Sequence, residues 1–516
     1  MVKPSKGCST CRTRKIKCDE TRPACSQCLK AHYSCPGYQD RWTVMHRSQN
    51  EQFARRIRAT NSIKHKRKYG SILWHYTEPQ EDACTGHNSR PMAFPSSPVT
   101  IDEAVAFFLH NYVLKHGEIA NAHLTHQQMI NSTRSSEAVL LGMGAVGMAS
   151  LANIRNSKGL RIMATREYTS TLHLTTVSLQ DSTLCKSDET VIAVVLLGMF
   201  EFLINTTINI DRWEKHINGG MALLELRGVE QIHGKSGLQL FTQLRSNIMA
   251  NCLRVGAEVP ALIVEISKAA ENLRPEGEKY ADILVGIVSR LSTLRADIKS
   301  GRIADWLRIL EMAMEIDRSF NKWASDAPAR WHYVTLFHRV NDDATLKNSP
   351  LSVKYAYCGR YDIYPDLWAT NVWNYYRATR MIVNWMILSL LAYTHTGPPN
   401  YSPAVINTLQ QKAKENTIQL AEDICASVAF SFDPVGCRSI ASGQKLPDST
   451  YTAGGCLGGS LLIYPIAVAA SISRSPSYLR TWMLSCLEYI AHDMGIGRAG
   501  SVLWLLEENK RKNIDG

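Results

Sequence analysis

The sequence of 516 residues lacks the short motifs that carry the commonest catalytic chemistries. It contains no H-E-x-x-H zinc-protease motif, no G-x-S-x-G nucleophile elbow and no phosphate-binding P-loop. Charged residues make up 20% of the chain and hydrophobic residues 45%, which excludes a disordered or fibrous protein and is typical of a soluble globular one. We therefore expect a folded protein that is not an enzyme.

The first ten residues, Met1 to Thr10, contain no apolar run of the kind that forms a secretory signal. We therefore expect a reducing compartment, in which the fourteen cysteines are metal ligands or buried thiols rather than disulfides. One stretch, Ser449 to Ser473, has no charged residue and is long enough to span a membrane, but it contains Pro465 and many small polar residues. We favour a buried helix and no membrane association, with a membrane segment as the alternative.

The positive charge of the chain is concentrated in its first 70 residues. Seventeen lysines and arginines stand there against four acidic residues, a net charge of +13, whereas the whole chain carries +12. The other 446 residues are thus close to neutral. A local charge of this sign indicates a polyanionic partner.

Six of the cysteines form a regular array near the amino terminus. The gaps between them are two, six, six, two and six residues, and they are Cys8, Cys11, Cys18, Cys25, Cys28 and Cys35. Two thiolates separated by two residues can face one tetrahedral zinc ion, and a structural zinc site takes four such ligands. Six cysteines therefore hold two zinc ions only if two sulfurs are shared. A three-disulfide knot is the alternative, but it is typical of small secreted domains.

This array resembles the fungal Zn2Cys6 binuclear-cluster domain, and every cysteine matches the spacing of that family. Pro23 also stands where the family has a loop proline between its third and fourth cysteines. The resemblance implies that Cys8 and Cys25 bridge two Zn²⁺ ions per chain and that a short helix enters the major groove of DNA. It further implies a zinc-dependent, sequence-specific transcription factor in the nucleus, which regulates RNA polymerase II promoters and reads CGG-type half-sites.

A basic segment lies between the second and third cysteines. Its four cations among six residues, on what we expect to be a short helix, are Arg12, Arg14, Lys15 and Lys17. Matching to the family makes Arg14 and Lys15 the candidates for base contacts, since both residue types donate to O6 and N7 of guanine. Arg12 and Lys17 are then expected to contact phosphates. The alternative is a solvated basic face that binds nucleic acid without sequence preference, as in an interaction scaffold.

The segment from residue 41 to residue 99 is expected to be a basic linker. It shows no apolar period of 3.5 residues over three heptads, so it predicts no dimerising coiled coil, and homodimerisation is left open. The run Lys64 to Lys68, Lys-His-Lys-Arg-Lys, is of the nuclear-localisation type. Four prolines between Ser71 and Val99 indicate an irregular connection.

Residues 100 to 516 predict an all-α regulatory domain. The expected fold is therefore a small zinc-stabilised N-terminal module, residues 1 to 40, followed by a large all-α domain. Thr100 and Glu103 form a capping-box pattern at the start of an apolar stripe, and alternation with a period of two is scarce. Further stripes with helical spacing cover Leu160 to Leu179, Thr190 to Ile204, Trp213 to Leu226, Leu367 to Tyr393 and Pro476 to Met494. Several of these segments resemble the fungal-specific regulatory domain, which implies co-regulators or the transcription machinery as partners.

Residues Gly142 to Gly147 match the pattern G-x-G-x-x-G after an apolar run, and Glu167 follows twenty residues later. Dinucleotide-binding proteins use this pattern to bring backbone amides to a pyrophosphate. The pattern requires a strand before it and parallel strands after it, whereas the sequence downstream predicts helices. We favour close packing of helices on small residues, and a dinucleotide-cofactor sensor is the alternative.

Overall fold

The computed structural model of the chain describes residues 8, 10–11, 14, 16–19, 21, 25–33, 35, 99–113, 126–204, 211–274, 276–337, 356–393, 402–442, 455–472 and 478–512. These residues fall into two units, one within residues 1–94 and one within residues 95–516. The first unit contains the six-cysteine array, and the second is built almost entirely from helices. The predicted fold class, a small cysteine module followed by a large all-α domain, is confirmed. Of the expected linker, residues 41–98, with the basic run Lys64 to Lys68, lie outside the described residues.

Among the described residues of the first unit, Ser26–Lys30 form a short helix, α1. In the described part of the second unit, seventeen helices follow, α2 to α18 in chain order. They are Ile101–Tyr112, His126–Ser135, Glu137–Ile154, Lys158–Gln180, Asp188–Ile204, Asp211–Arg227, Lys235–Val255, Ala261–Leu273, Glu276–Ser300, Trp306–Ser325, Leu367–Tyr393, Pro403–Ala426, Val428–Phe432, Pro434–Ser442, Gly455–Ile472, Tyr478–His492 and Gly497–Lys512. Between α11 and α12, strands β1 (Val334–Phe337) and β2 (Arg360–Ile363) form an antiparallel pair with Val334 opposite Ile363.

Local sequence signals set several helix boundaries. At the start of α2, Thr100 Oγ1 accepts a hydrogen bond from the Glu103 amide at 3.2 Å, and the Glu103 carboxylate accepts one from the Thr100 amide at 2.8 Å. The predicted capping box is therefore confirmed, and Phe108 and Tyr112 on the same helix are buried. Helix α12 has the predicted bounds Leu367–Tyr393. Pro476 lies outside the described residues, and α17 begins at Tyr478.

The second unit has one continuous hydrophobic core that runs from Val99 to Leu506. Hydrogen bonds join distant parts of the chain around this core. The Asn153 side-chain amide on α4 donates to the Gly495 carbonyl at 2.9 Å, and the Ser150 hydroxyl donates to the Met494 carbonyl at 3.3 Å. Helix α4 is thereby joined to the turn between α17 and α18.

Two helices, α4 and α16, are long and apolar enough to cross a membrane by length and composition alone. In α4, 72% of the tested window is buried inside the protein, and in α16 the share is 56%. Both helices contribute to the core of the second unit. This agrees with the buried helix predicted around Pro465.

The structure contradicts a dinucleotide-binding loop at Gly142 to Gly147. These residues lie inside α4, which is continuous from Glu137 to Ile154, and all three glycines are buried. Backbone amides within a helix are bonded to carbonyls of the preceding turn and do not face a phosphate. The glycines bring neighbouring helices close instead, since a side chain at Gly147 would collide with the Ala104 carbonyl of α2. The dinucleotide-sensor interpretation was wrong because the pattern lies within a core helix.

Candidate metal centre

The sulfur atoms of the six-cysteine array converge in the first unit. Cys8 Sγ lies 3.7 Å from Cys25 Sγ and 3.6 Å from Cys28 Sγ, and Cys11 Sγ lies 3.6 Å from Cys25 Sγ. These four side chains have no solvent exposure. The array therefore forms one compact, buried sulfur cluster.

The cluster divides into two groups of four ligands. One group contains Cys8, Cys11, Cys18 and Cys25, and the other contains Cys8, Cys25, Cys28 and Cys35. Within each group the ligand atoms all lie within 4.8 Å of one another, and the groups share the same two sulfurs. A tetrahedral zinc ion with Zn–S bonds of about 2.3 Å separates its sulfurs by about 3.8 Å, so the observed spacing fits zinc.

Backbone amides are directed at the two shared sulfurs. The Cys11 amide donates to Cys8 Sγ and the Cys28 amide donates to Cys25 Sγ, each at 3.4 Å. The two halves of the array also share a second hydrogen bond: the Ile16 amide donates to the Cys11 carbonyl, and the Tyr33 amide donates to the Cys28 carbonyl. N–H donors favour a thiolate over a thiol. Each of the two sulfurs common to both groups thus accepts a hydrogen bond from a backbone amide.

Burial has the opposite effect on the protonation of the cluster. It raises the pKa of the Cys11 thiol to about 12, and hydrogen bonding to Cys8 adds to the rise. A metal ligand must be the thiolate, so binding of a cation has to release protons from these cysteines.

A sequence model of the fungal Zn(2)-Cys(6) binuclear cluster domain matches residues 6–43. Residues 6–43 are such a cluster domain. The match covers the cysteine array and its immediate surroundings.

Fungal transcription regulators resemble the chain over limited stretches. White-opaque regulator 2 of Candida albicans is 59% identical over 34 residues, which is 7% of this chain and 8% of that protein. Transcriptional regulatory protein moc3 of Schizosaccharomyces pombe is 59% identical over 32 residues, 6% of each chain. Transcription factor dbaG of Emericella nidulans is 28% identical over 142 residues, 27% of this chain and 31% of that protein.

The match to dbaG is longer than the cluster domain, so that similarity includes residues outside it. In each of these relatives the chain spans less than a third of the length. No solved structure matches the chain.

The basic segment of the cluster domain is only partly described. Arg14 and Lys17 are both exposed, whereas Arg12 and Lys15 lie outside the described residues. The Arg14 amide donates to the Thr10 carbonyl at 3.0 Å, which makes one helical turn. Lys17 lies beyond that turn in irregular backbone. In the described residues, the helix expected over 12–17 therefore does not extend to Lys17.

Tyr33 is a candidate functional residue that the sequence reasoning missed. The guanidinium carbon of Arg14 lies 4.6 Å from the centre of the Tyr33 ring, and Tyr33 is 54% exposed. A ring at this distance attracts the cation and restricts where it can point. Tyr33 occupies the same place in the second half of the array as Ile16 in the first, which was the available signal.

Asp19 is a second residue that the sequence reasoning missed. Both of its carboxylate oxygens accept from the Ser26 amide at 3.2 Å, and Thr21 Oγ1 donates to one of them at 3.2 Å. Hydrogen bonding from Ser26 lowers the pKa of Asp19. An anion beside the first residue of α1 stabilises that helix end. Asp19 therefore connects the first half of the cluster domain to the helix of the second half.

Proposed function

We propose that the chain is a zinc-dependent, sequence-specific DNA-binding transcription factor. The observation that carries this proposal is the convergence of six cysteines into two four-ligand groups that share Cys8 and Cys25. Exposed Arg14 and Lys17 lie in the same small domain. The transcription regulators that resemble the chain over short stretches support the same function.

The proposed metal content is two Zn²⁺ ions per chain. The ligands are all six cysteines of the array, with Cys8 and Cys25 bridging, because two tetrahedra need eight ligand positions. Metal analysis of the purified full chain should give two zinc ions per molecule. A ratio of one would exclude the bridged arrangement.

The proposed DNA-reading surface is the first half of the cluster domain. We assign base contacts to Arg14 and Lys15 and phosphate contacts to Arg12 and Lys17, at CGG-type half-sites of RNA polymerase II promoters. The second half supports this choice by contrast, since only one lysine and no arginine lie between its last two cysteines. The stacking of Arg14 on Tyr33 favours a fixed direction for one base-reading side chain.

Two charge-matched variants test this assignment. Lys15→Gln removes a proposed base contact, and Lys30→Gln removes an exposed cation from the last turn of α1 in the other half. Binding of the zinc-loaded full chain to a CGG duplex and to a scrambled duplex is measured at near-physiological salt. Lys15→Gln should lower the difference in binding free energy between the two duplexes by about 1–3 kcal/mol, whereas Lys30→Gln should leave that difference unchanged. Equal affinity of the wild type for both duplexes would favour the non-specific scaffold instead.

We assign the nucleus as the site of action and residues 41–99 as a linker that carries the import signal at Lys64 to Lys68. Residues 100–516 are then the regulatory domain, with co-regulators or the transcription machinery as partners. Replacing the basic residues of that run by alanine in a fluorescent fusion should move the protein into the cytoplasm. Unchanged nuclear accumulation would place the import signal elsewhere.

A further inference from the structure

A cavity of about 570 Å³ lies inside the second unit, between α8, α10, α12, α16 and α18. Small-molecule sites in proteins have volumes of roughly 300–1,000 Å³ and mostly apolar walls. Apolar side chains from several helices line this one, among them Leu253, Val285 and Ile463. The cavity therefore has the size and surface of a site for an organic molecule.

The cavity accounts for the character of α16. This helix is apolar on all sides, and much of its length between Ser460 and Ile472 lines the cavity. Pro465, which also lines it, has no N–H group, so the Leu461 carbonyl loses its helical donor. The apolar surface that passes a membrane test thus forms part of the cavity wall.

Four buried polar atoms of the lining have no hydrogen-bond partner among the described residues. They are the hydroxyls of Tyr375 and Tyr464, Nε of Arg295 and Nη1 of Arg498. The two tyrosine rings lie side by side, with centroids 5.9 Å apart. Buried polar atoms without partners are rare in native proteins, and four around one cavity require an explanation.

The lining also carries excess positive charge. Its described residues include no aspartate or glutamate and four arginines, namely Arg245, Arg254, Arg295 and Arg498. The first two form ion pairs with Asp282 and Glu214. Arg295 and Arg498 form none within the described ranges. Burial lowers the pKa of both, and the charge of Arg254 lowers that of Arg498 further. These two cations therefore lie where the fold alone disfavours a positive charge.

We propose that this cavity binds a small molecule with an apolar body and one anionic group, and that Arg295 and Arg498 supply the positive charge that selects it. A guanidinium matches a carboxylate or sulfonate by charge and by its parallel N–H donors. The hydroxyls of Tyr375 and Tyr464 add donors, and the aliphatic wall contacts the body of the ligand. A cationic ligand is repelled, and a purely apolar one leaves the four polar atoms unpartnered.

Two fluorescent probes with the same ring system test the proposal. Anilinonaphthalene sulfonate carries one anionic group, and N-phenylnaphthylamine has the same body without it. Each is titrated into the zinc-loaded full chain with no DNA present, so the outcome is independent of the proposed DNA-binding function. We expect saturable binding at one site per chain. The loss of a charge-assisted contact corresponds to about tenfold in affinity, which is the preference expected for the sulfonate.

The arginine variants locate the anion site. Arg295→Gln should lower the affinity for the sulfonate probe by about tenfold, and Arg498→Gln should lower it by several-fold. The affinity for the neutral probe should change by less than about twofold in both variants. Arg290→Gln is the matched control, because Arg290 lies on the same helix, is exposed and pairs with Glu315 at 2.6 Å. Ala250→Phe, which narrows the cavity, should weaken both probes alike.

Unfolding midpoints separate a lost site from a lost fold. Arg295→Gln should keep the midpoint of the wild type, since removing an unpaired buried cation removes a desolvation cost. Equal binding of the two probes by the wild type would overturn the proposal. So would sulfonate affinity that neither arginine substitution changes, or an equal loss of both probes in Arg295→Gln at an unchanged midpoint.

Discussion

The packing of α2 against α4 leaves no room for a side chain at Gly147. A Cβ there would lie 2.7 Å from the Ala104 carbonyl carbon and closer still to its oxygen. Real Cβ contacts essentially never fall below 3.0 Å. Because the obstacle is backbone, no side-chain rotation relieves the clash in Gly147→Ala, and the two helices must separate. Overpacking costs about 1–3 kcal/mol, and here the upper end applies. The higher helix propensity of alanine returns about 1 kcal/mol, so we expect a net loss of about 2 kcal/mol.

Urea unfolding of the full chain, followed by tryptophan fluorescence, measures this loss. Nine of the eleven tryptophans lie within residues 95–516, so the signal reports mainly on the second unit. Gly286→Ala is the matched control, because Gly286 is inside α10 and a Cβ there meets nothing within 4 Å. The control should gain about 0.5–1 kcal/mol. If Gly147→Ala were as stable as the wild type, the close packing of α2 and α4 would be refuted.

Three further predictions concern the cluster domain and one partly buried histidine. Cys18→Ala should lose bound zinc and specific DNA binding together, whereas Cys185→Ala, a buried thiol of the second unit, should keep both by metal analysis and gel shift. Burial lowers the pKa of His216 from 6.5 to about 4. Between these pH values this histidine is protonated only in the unfolded chain. The free energy of unfolding therefore falls as the pH is lowered from 6.5 towards 4. In urea titrations, His216→Gln should reduce the change in unfolding free energy over this pH range by up to about 3 kcal/mol. The raised pKa of Glu201 changes the stability in the opposite direction, but it contributes equally to the wild type and the variant. Tyr33→Ala should weaken binding to a CGG duplex by about two- to fivefold, because it removes the ring that attracts the Arg14 guanidinium. Tyr33→Phe keeps the ring and should leave the affinity unchanged.

Helices with a clear local sequence signal could be predicted from the sequence. The Thr100 and Glu103 cap depends on residues three positions apart, and α12 has an apolar stripe from Leu367 to Tyr393. Both signals are local, and a local signal survives whatever packs against it. These elements were predicted with correct starts.

The full length of the core helix α4 could not be predicted in the same way. Helix α4 is apolar on all sides, so it has no stripe, and a short apolar run before glycines also fits a strand. The need for glycine in this helix comes from its packing against α2, whose Ala104 carbonyl occupies the space beside Gly147. The cavity was likewise hidden, because Arg295 and Tyr464 are far apart in the sequence and ordinary in their local context.

In the cluster domain, the spacing of the cysteines alone placed all six in one metal-ligand arrangement. Metal geometry imposes that spacing, and few other structures satisfy it. The contact of Arg14 with Tyr33 was not predicted, because it depends on how the two halves face each other. The equivalence of Ile16 and Tyr33 in those halves was the only hint.

Selection of binding sites from random DNA, with the zinc-loaded full chain at near-physiological salt, tests the central claim most directly. The account predicts enrichment of a CGG-type triplet that disappears when zinc is chelated. Retention of DNA without any enriched motif would contradict it, because only the electrostatic attraction of the basic residues would then remain.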